Sequence, residues 1–269
     1  MPLTITKTEH RSEDYGLASD EIELLWRMEE RHFWHRARNR WIEKALRTAG
    51  VRPPAAVLEV GCGSGAVAAY LHSRGYRMTG IDTAAPLVTK AHERCPDASL
   101  IVGDVASVDI GLFDCIGLFD VLEHLDDPLE MLAACRRHAN PGALFAATVP
   151  AQRALHTVID DLSGHKKRYE TGELAALFTA AGLGEVEERG IFRSTVPMQR
   201  GLRRHAAGQR AEQLSEGERR ALWVKNFQVP VAPVNLALSA MCAIERIFGF
   251  GSARDRAGAT LLTTGRLPA

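Results

Sequence analysis

The sequence lacks paired cysteines. Its five (Cys62, Cys95, Cys115, Cys135 and Cys242) are odd in number, scattered, and never spaced as C-x-x-C. That argues against both a disulfide framework and a zinc site. Most lie in apolar runs, where a thiol behaves as a small hydrophobe, so a reducing, cytoplasmic setting is expected. An apolar signal core is missing too, since residues 1–20 are polar. No uncharged apolar run reaches the roughly 18–20 residues that span a bilayer. Nor is there an excess of one charge: 33 Lys and Arg balance 33 Asp and Glu. A chain held to nucleic acid by phosphate neutralisation shows a basic excess, so a nucleic-acid partner is disfavoured. These absences point to a soluble protein.

What is present is core. Of 269 residues, 46% are hydrophobic, enough for one large α/β domain with an insertion. The reading divides the chain into an N-terminal arm and helical cap (1–50), an α/β core (51–196 with 257–269) and a helical insertion (197–256). Residues 1–18 read as a loose arm, and 20–49 as two helices meeting near His32. Short apolar runs at 55–60, 77–82, 98–102, 114–119, 143–149, 185–193 and 259–266 read as strands. Helical stretches at 65–74, 84–94 and 171–181 alternate with them. A further helix opens at Asp127-Pro128, a good N-cap with proline at N1, and closes at Asn140-Pro141-Gly142. Such alternation specifies a largely parallel sheet covered on both faces, and continuous apolar strands suit it.

The strongest chemical signal is Val57-Leu58-Glu59-Val60-Gly61-Cys62-Gly63-Ser64-Gly65. A buried strand runs into a glycine turn that opens a helix, the arrangement needed for a backbone to approach a ligand closely. Gly61, Gly63 and Ala66 fit a dinucleotide pattern equally well. Asp82, about 20 residues on at a strand end, suits the two hydroxyls of an adenosine ribose. Neither feature names the adenosine ligand. Gly103-Asp104 follows the third core strand, and Phe119-Asp120-Val121-Leu122-Glu123-His124 ends the fourth.

In these segments, with Gly80-Ile81-Asp82, Asn140-Pro141-Gly142-Ala143-Leu144, Gly164-His165-Lys166-Lys167-Arg168-Tyr169 and Ala181-Gly182-Leu183, the chain resembles the class I S-adenosylmethionine-dependent methyltransferases. The small-molecule group of the 11/23 type is the nearest match, over residues 32–193. The resemblance implies a Rossmann-like, doubly wound, seven-stranded sheet with an antiparallel last strand, an N-terminal helical cap and a helical insertion before that strand. It implies S-adenosyl-L-methionine as cofactor, with Glu59, Gly61, Cys62, Gly63 and Gly65 under its methionine part. Asp82 would hold the ribose, Asp104 with Val105 beside it the adenine, and the Phe119 backbone the methionine amino group. Trp34 and Arg38 match the helix that covers the cofactor. Ala143 departs from the family, which often has a second glycine there.

Two histidines are the catalytic candidates. His124 follows a strand's carboxyl end, where open α/β sheets bind ligands. His165 lies in a polar, glycine-hinged segment, and its three following cations should disfavour its protonation. His165 is therefore the expected base and His124 the positioning group, in methyl transfer to a small acceptor with oxygen preferred over nitrogen or carbon. Asp160 and Asp161 alone do not make a metal site, and none is expected. A non-catalytic cofactor-binding subunit and an NAD(P)-dependent oxidoreductase remain as alternatives. In the insertion, residues 199–205 are basic. Asn235 is placed as the cap of a helix whose Ala237, Met241, Ile244 and Phe248 form an apolar stripe widened by Leu236, Ala240 and Ile247. Residues 197–250 are thus expected to pack on the sheet, form a homodimer or contact a membrane peripherally.

Overall fold

The computed structural model describes residues 4–5, 19–206, 211–226, 228–248 and 258–269, without the side chains of 4–5, 202–206 and 211. In chain order its elements are β1 (Thr4–Ile5), α1 (Ser19–Arg31), α2 (Phe33–Thr48), β2 (Ala56–Val60), α3 (Ala66–His72), β3 (Arg77–Asp82), α4 (Ala85–Arg94), β4 (Ser99–Val102) and β5 (Phe113–Phe119). There follow α5 (Pro128–Arg136), β6 (Ala139–Pro150), α6 (Val158–Leu162), α7 (Glu173–Ala180), β7 (Gly184–Ile191), α8 (Val196–Ala206), α9 (Glu216–Asn226), α10 (Ala232–Phe248) and β8 (Thr260–Arg266). The strands form one sheet in the order β1-β4-β3-β2-β5-β6-β8-β7. β8 enters between β6 and β7 and runs antiparallel to both, as expected of the last strand.

Alternation along the strands separates two hydrophobic layers. Val57, Cys115 and Leu144 face one side with Phe33 and Trp41 of α2 and Val67 and Leu71 of α3. Their chain neighbours Leu58, Ile116 and Phe145 face the other, with Leu132 of α5 and Leu174 and Phe178 of α7. The central strands are buried on both faces, which is why β2, β5 and β6 are largely apolar, whereas the edge strand β7 is polar and exposed along much of its length. Strand order reverses between β2 and β5, and the crevice beyond their carboxyl ends is where such sheets take ligands.

Three local expectations change. Thr4–Ile5, read as part of a loose arm, pairs in parallel with Ile101 and Val102 as an eighth strand. Asn140-Pro141-Gly142 lies inside β6 and does not close α5, because Phe113 pairs with Ala139 while Cys115 already pairs with Leu144; β6 carries the extra residues as a bulge, with Gly142 at φ +73. Asn235 caps a helix, but not its own. Its Oδ1 accepts from Phe33 N at 2.9 Å and its Nδ2 donates to Arg31 O at 2.9 Å, so it closes the α1–α2 junction. His32, whose Nδ1 accepts from Trp34 N at 3.2 Å, completes that cap. The cap at Asp127 forms as expected, accepting from Leu129 N and Glu130 N. The side chains of Arg203, Arg204 and His205, part of the basic run, lie outside the described residues.

Candidate functional site

The turn after β2 places Gly61, Gly63 and Gly65 at φ +71, +50 and +76, where a side chain is strained. Their surroundings differ. A Cβ on Gly61 would lie 2.5 Å from Val121 Cγ2 and one on Gly65 2.7 Å from Ala91 Cβ, whereas one on Gly63 would meet nothing within 4 Å. Gly61 and Gly65 therefore let the turn dock on the chain behind it, and Gly63 borders open space. Asp82 ties this turn to β3: its Oδ2 accepts from Gly63 N at 2.8 Å and its Oδ1 from Ala84 N at 2.9 Å. Burial raises the Asp82 carboxyl above its ordinary value, and these donors offset part of the rise. Gly103 N donates to Asp82 O at 2.9 Å, setting half-buried Asp104 beside the end of β3. The Asp104 Oδ1 accepts from Ala106 N at 2.9 Å, and Val105 is buried.

Glu59 stands in register with Gly80 on one side and Gly117 on the other. A Cβ on Gly80 would lie 2.9 Å from Cys62 Sγ, and one on Gly117 2.5 Å from the Phe119 ring. The side chains of Cys62 and Phe119 thus fill space inside the sheet layer, so these two sequence candidates offer a ligand only their backbones. Glu59 is 3% exposed and its Oε2 has no hydrogen-bond partner. Burial, opposed by Arg38 and reinforced by Glu29, pushes its carboxyl up to about 8.

The helical cap reaches this crevice twice. Trp34 stacks on Phe192 with ring centroids 5.5 Å apart and carries the Arg38 guanidinium 5.2 Å from its centroid. Arg38, 7% exposed, pairs with Asp120. Asp120 itself sits at φ +59, held there also by Thr148 Oγ1, which donates to Asp120 Oδ1 at 3.1 Å. Strained non-glycine backbone of this kind collects at functional sites. The second contact was not read from sequence: Ser64 of the glycine turn donates to Glu29 of α1, and Arg94 of α4 donates to the same carboxylate at 2.7 Å.

His124 and His165 come together, with ring centroids 4.9 Å apart. The Nδ1 of His124 is 3.1 Å from Gly164 O and that of His165 is 3.1 Å from Asp160 Oδ1. A carbonyl and a carboxylate only accept, so each imidazole donates through Nδ1, and in the neutral ring that leaves Nε2 as the acceptor. Burial, with His165 next in weight, lowers the His124 pKa. The three cations that follow His165 have partners of their own: Lys166 pairs with Asp126, Lys167 lies 4.2 Å from the Tyr169 ring centroid, and Arg168 binds Asp160. Asp160 sets the tautomer. Beside the pair, Glu123 is fully buried with neither carboxyl oxygen hydrogen-bonded. Burial, and then Asp120, raises it well above the carboxylate range. One atom each from Glu123, His124 and His165 lies within 4.8 Å of the others, a spacing a metal ion could bridge; the sequence reading weighed only Asp160 and Asp161.

A methyltransferase domain family matches residues 33–188, the stretch that supplies the glycine turn, Asp82, Asp104 and both histidines. The chain belongs to this methyltransferase family. It is 33% identical over 159 residues to a ubiquinone biosynthesis O-methyltransferase of Hahella chejuensis, covering 52% of this chain and 67% of that one. To the enzyme of the same description from Xanthomonas campestris pv. campestris it is 36% identical over 117 residues, 39% of this chain and 49% of the relative. The chain thus spans about half to two thirds of the length of these relatives. Among solved structures, phosphoethanolamine N-methyltransferase 2 of Haemonchus contortus in complex with S-adenosyl-L-methionine superposes with a TM-score of 0.60 at 14% identity, over 94% of this chain and 58% of that chain. The cyclase SpnF superposes at 0.55 and 18% identity, over 88% and 83%. These structures share the fold. The first of these holds S-adenosyl-L-methionine, and the crevice here has features that fit such a ligand: Gly63 leaves room, Asp82 stands at the strand end, and the Glu59 oxygen is buried without a partner.

Proposed function

We propose that this methyltransferase places a methyl group on a hydroxyl oxygen of a small molecule, with His165 as base and His124 positioning the acceptor. The observation that carries the reading is the pair of adjacent imidazoles whose Nδ1 atoms are both committed to acceptors, leaving two Nε2 lone pairs. A hydroxyl must lose its proton to become a good nucleophile, and a positioned base provides for that. The O-methyltransferase relatives support oxygen.

In this reading the glycine turn, with Glu59, would hold the methionine part of the cofactor. Asp82 would hold the ribose, Asp104 and Val105 the adenine, and the Phe119 backbone the amino group. Trp34 and Arg38 would close the crevice. Bound there, S-adenosylmethionine would supply an electrophilic methyl carbon on a sulfonium. His165 Nε2 would take the hydroxyl proton, leaving the acceptor oxygen as the nucleophile for the methyl that the cofactor would supply. Most of the acceleration comes from holding the acceptor in line. The test is methyl-labelled cofactor with matched acceptors that differ only in hydroxyl against amine. Labelling of the amine alone would refute the assignment.

The Glu123–His124–His165 spacing favours a second reading, in which a divalent ion on these residues lowers the pKa of the acceptor hydroxyl. Chelator separates the two: turnover survives it if the histidine works alone.

A further inference from the structure

α10 carries its polarity the wrong way round for a surface helix. Two of its polar side chains are turned inward: Asn235 closes the α1–α2 junction, and Glu245, 2% exposed, accepts from Arg193 N, Ser194 N and the Ser194 hydroxyl. Every exposed residue of α10 is apolar. Leu236 is 71% exposed, Ile247 64% and Phe248 76%, with Ile244 between them. Exposed single hydrophobes are ordinary, but a continuous apolar stripe is a face that something covers.

The flanks of that stripe carry cations. On α2, packed alongside α10, Arg36, Arg40, Lys44 and Arg47 fall on one face at helical spacing. Lys44 Nζ donates to Arg246 O at 2.7 Å, and Arg189 and Arg246 lie near enough that, after burial, they help lower the Lys44 pKa. Among the described residues none of these six cations forms an ion pair with a carboxylate. Two copies meeting through this face would bring like charges together. An anionic interface complements both the apolar stripe and its rim. No helix among the described residues is long and apolar enough to cross a membrane, so α10 would lie along the surface.

We propose that the outer face of α10, with the cationic side of α2, docks this protein on a bilayer of anionic phospholipid. Asn235 ties the docking helix to the start of α2 at Phe33, on the same helix as Arg38, so the bilayer contact and the cofactor crevice share one helix.

The experiment is flotation of the purified full chain with vesicles of phosphatidylcholine alone and of phosphatidylcholine mixed with phosphatidylglycerol. The protein should float with the mixed vesicles and not with the neutral ones, and added salt should release it. Ile247→Glu should cut partitioning by roughly tenfold or more. Arg40→Gln and Arg47→Gln should each cut it about fivefold, with circular dichroism and cofactor affinity unchanged. The arginine variants keep the test decisive if Ile247→Glu fails to fold. Failure of the wild type to float, or equal flotation with neutral vesicles, would overturn the proposal. So would a dimer in sedimentation equilibrium that Ile247→Glu dissociates in a chain that ignores vesicles.

Discussion

Asp160 and His165 form a dyad: the imidazole Nδ1 lies 3.1 Å from the carboxylate Oδ1, and Arg168 Nε grips the same oxygen from 2.7 Å. His165 is thereby held in one tautomer by a carboxylate that is itself immobilised. His165→Ala should lower turnover by roughly 10²–10⁴-fold with cofactor affinity unchanged. Asp160→Asn should lower it by about 10²-fold, the cost of a misplaced reacting group. Partial recovery of His165→Ala at higher pH, where the acceptor ionises unaided, would mark the loss as that of a base. Calorimetric titration with cofactor alongside single-turnover rates checks both.

Asp160 should also set the acid limit of stability. Burial alone would raise its carboxyl, but the His165 hydrogen bond, the Arg168 guanidinium and Thr157 N–H together pull it well below its ordinary value. A depressed carboxyl contributes stability that is full above the unfolded pKa of about 4 and is lost as pH falls towards the folded value. Asp160→Asn leaves Arg168, 8% exposed, without its anion, and breaking such a pair costs about 3–5 kcal/mol. Denaturant titrations should show that deficit at pH 7 and show it shrinking as pH drops below about 4.

Glu59 has the opposite sign. Its carboxyl, raised from 4.5 to about 8, holds a proton in the folded, cofactor-free chain that the unfolded chain has released. Stability therefore falls as pH rises from the unfolded value through about 8. Glu59→Gln should be more stable than the wild type by about 1–3 kcal/mol at pH 7.5, with little difference near pH 4. It should also bind S-adenosylmethionine more weakly, because the ionised carboxylate favours the cationic ligand. Thermal melts across pH, with and without cofactor, check both. A variant that is less stable at every pH would contradict the assignment.

The glycine turn predicts a contrast. Gly61→Ala drives a methyl against Val121 and should destabilise the fold by about 1–3 kcal/mol, with Val121→Ala restoring part of the loss. Gly63→Ala meets no atom and carries only the left-handed backbone penalty of about 1–2 kcal/mol, but it should weaken cofactor binding by more than Gly61→Ala does. Melting temperatures and binding constants for the three variants separate packing from ligand contact.

What was legible in the sequence is what local chemistry dictates. The alternation of apolar runs placed seven strands, Asp127-Pro128 announced a cap, and Asp82 stood where a strand meets a glycine turn. Side-chain direction was harder. Cys62 and Phe119 lie in the right motifs, yet they turn into the sheet because Gly80 on the neighbouring strand and Gly117 two residues before Phe119 on the same strand leave space there. Links between distant segments were invisible: Asn235 caps a helix 202 residues away, and Glu29 meets Ser64 only because α1 folds over the turn. Glu123 sat beside the chosen His124, but nothing in its neighbours marked it as buried with its oxygens unpartnered.

The central claim, transfer of a methyl to oxygen, is tested most directly by identifying the atom that receives it. The full chain is incubated with carbon-13 methyl-labelled S-adenosylmethionine and a metabolite extract, and the labelled product is read by mass spectrometry and carbon NMR. An O-methyl signal that disappears with Asp82→Ala and falls with His165→Ala is the predicted result. A label found on nitrogen or carbon, or an O-methyl product formed equally fast by His165→Ala, would contradict it.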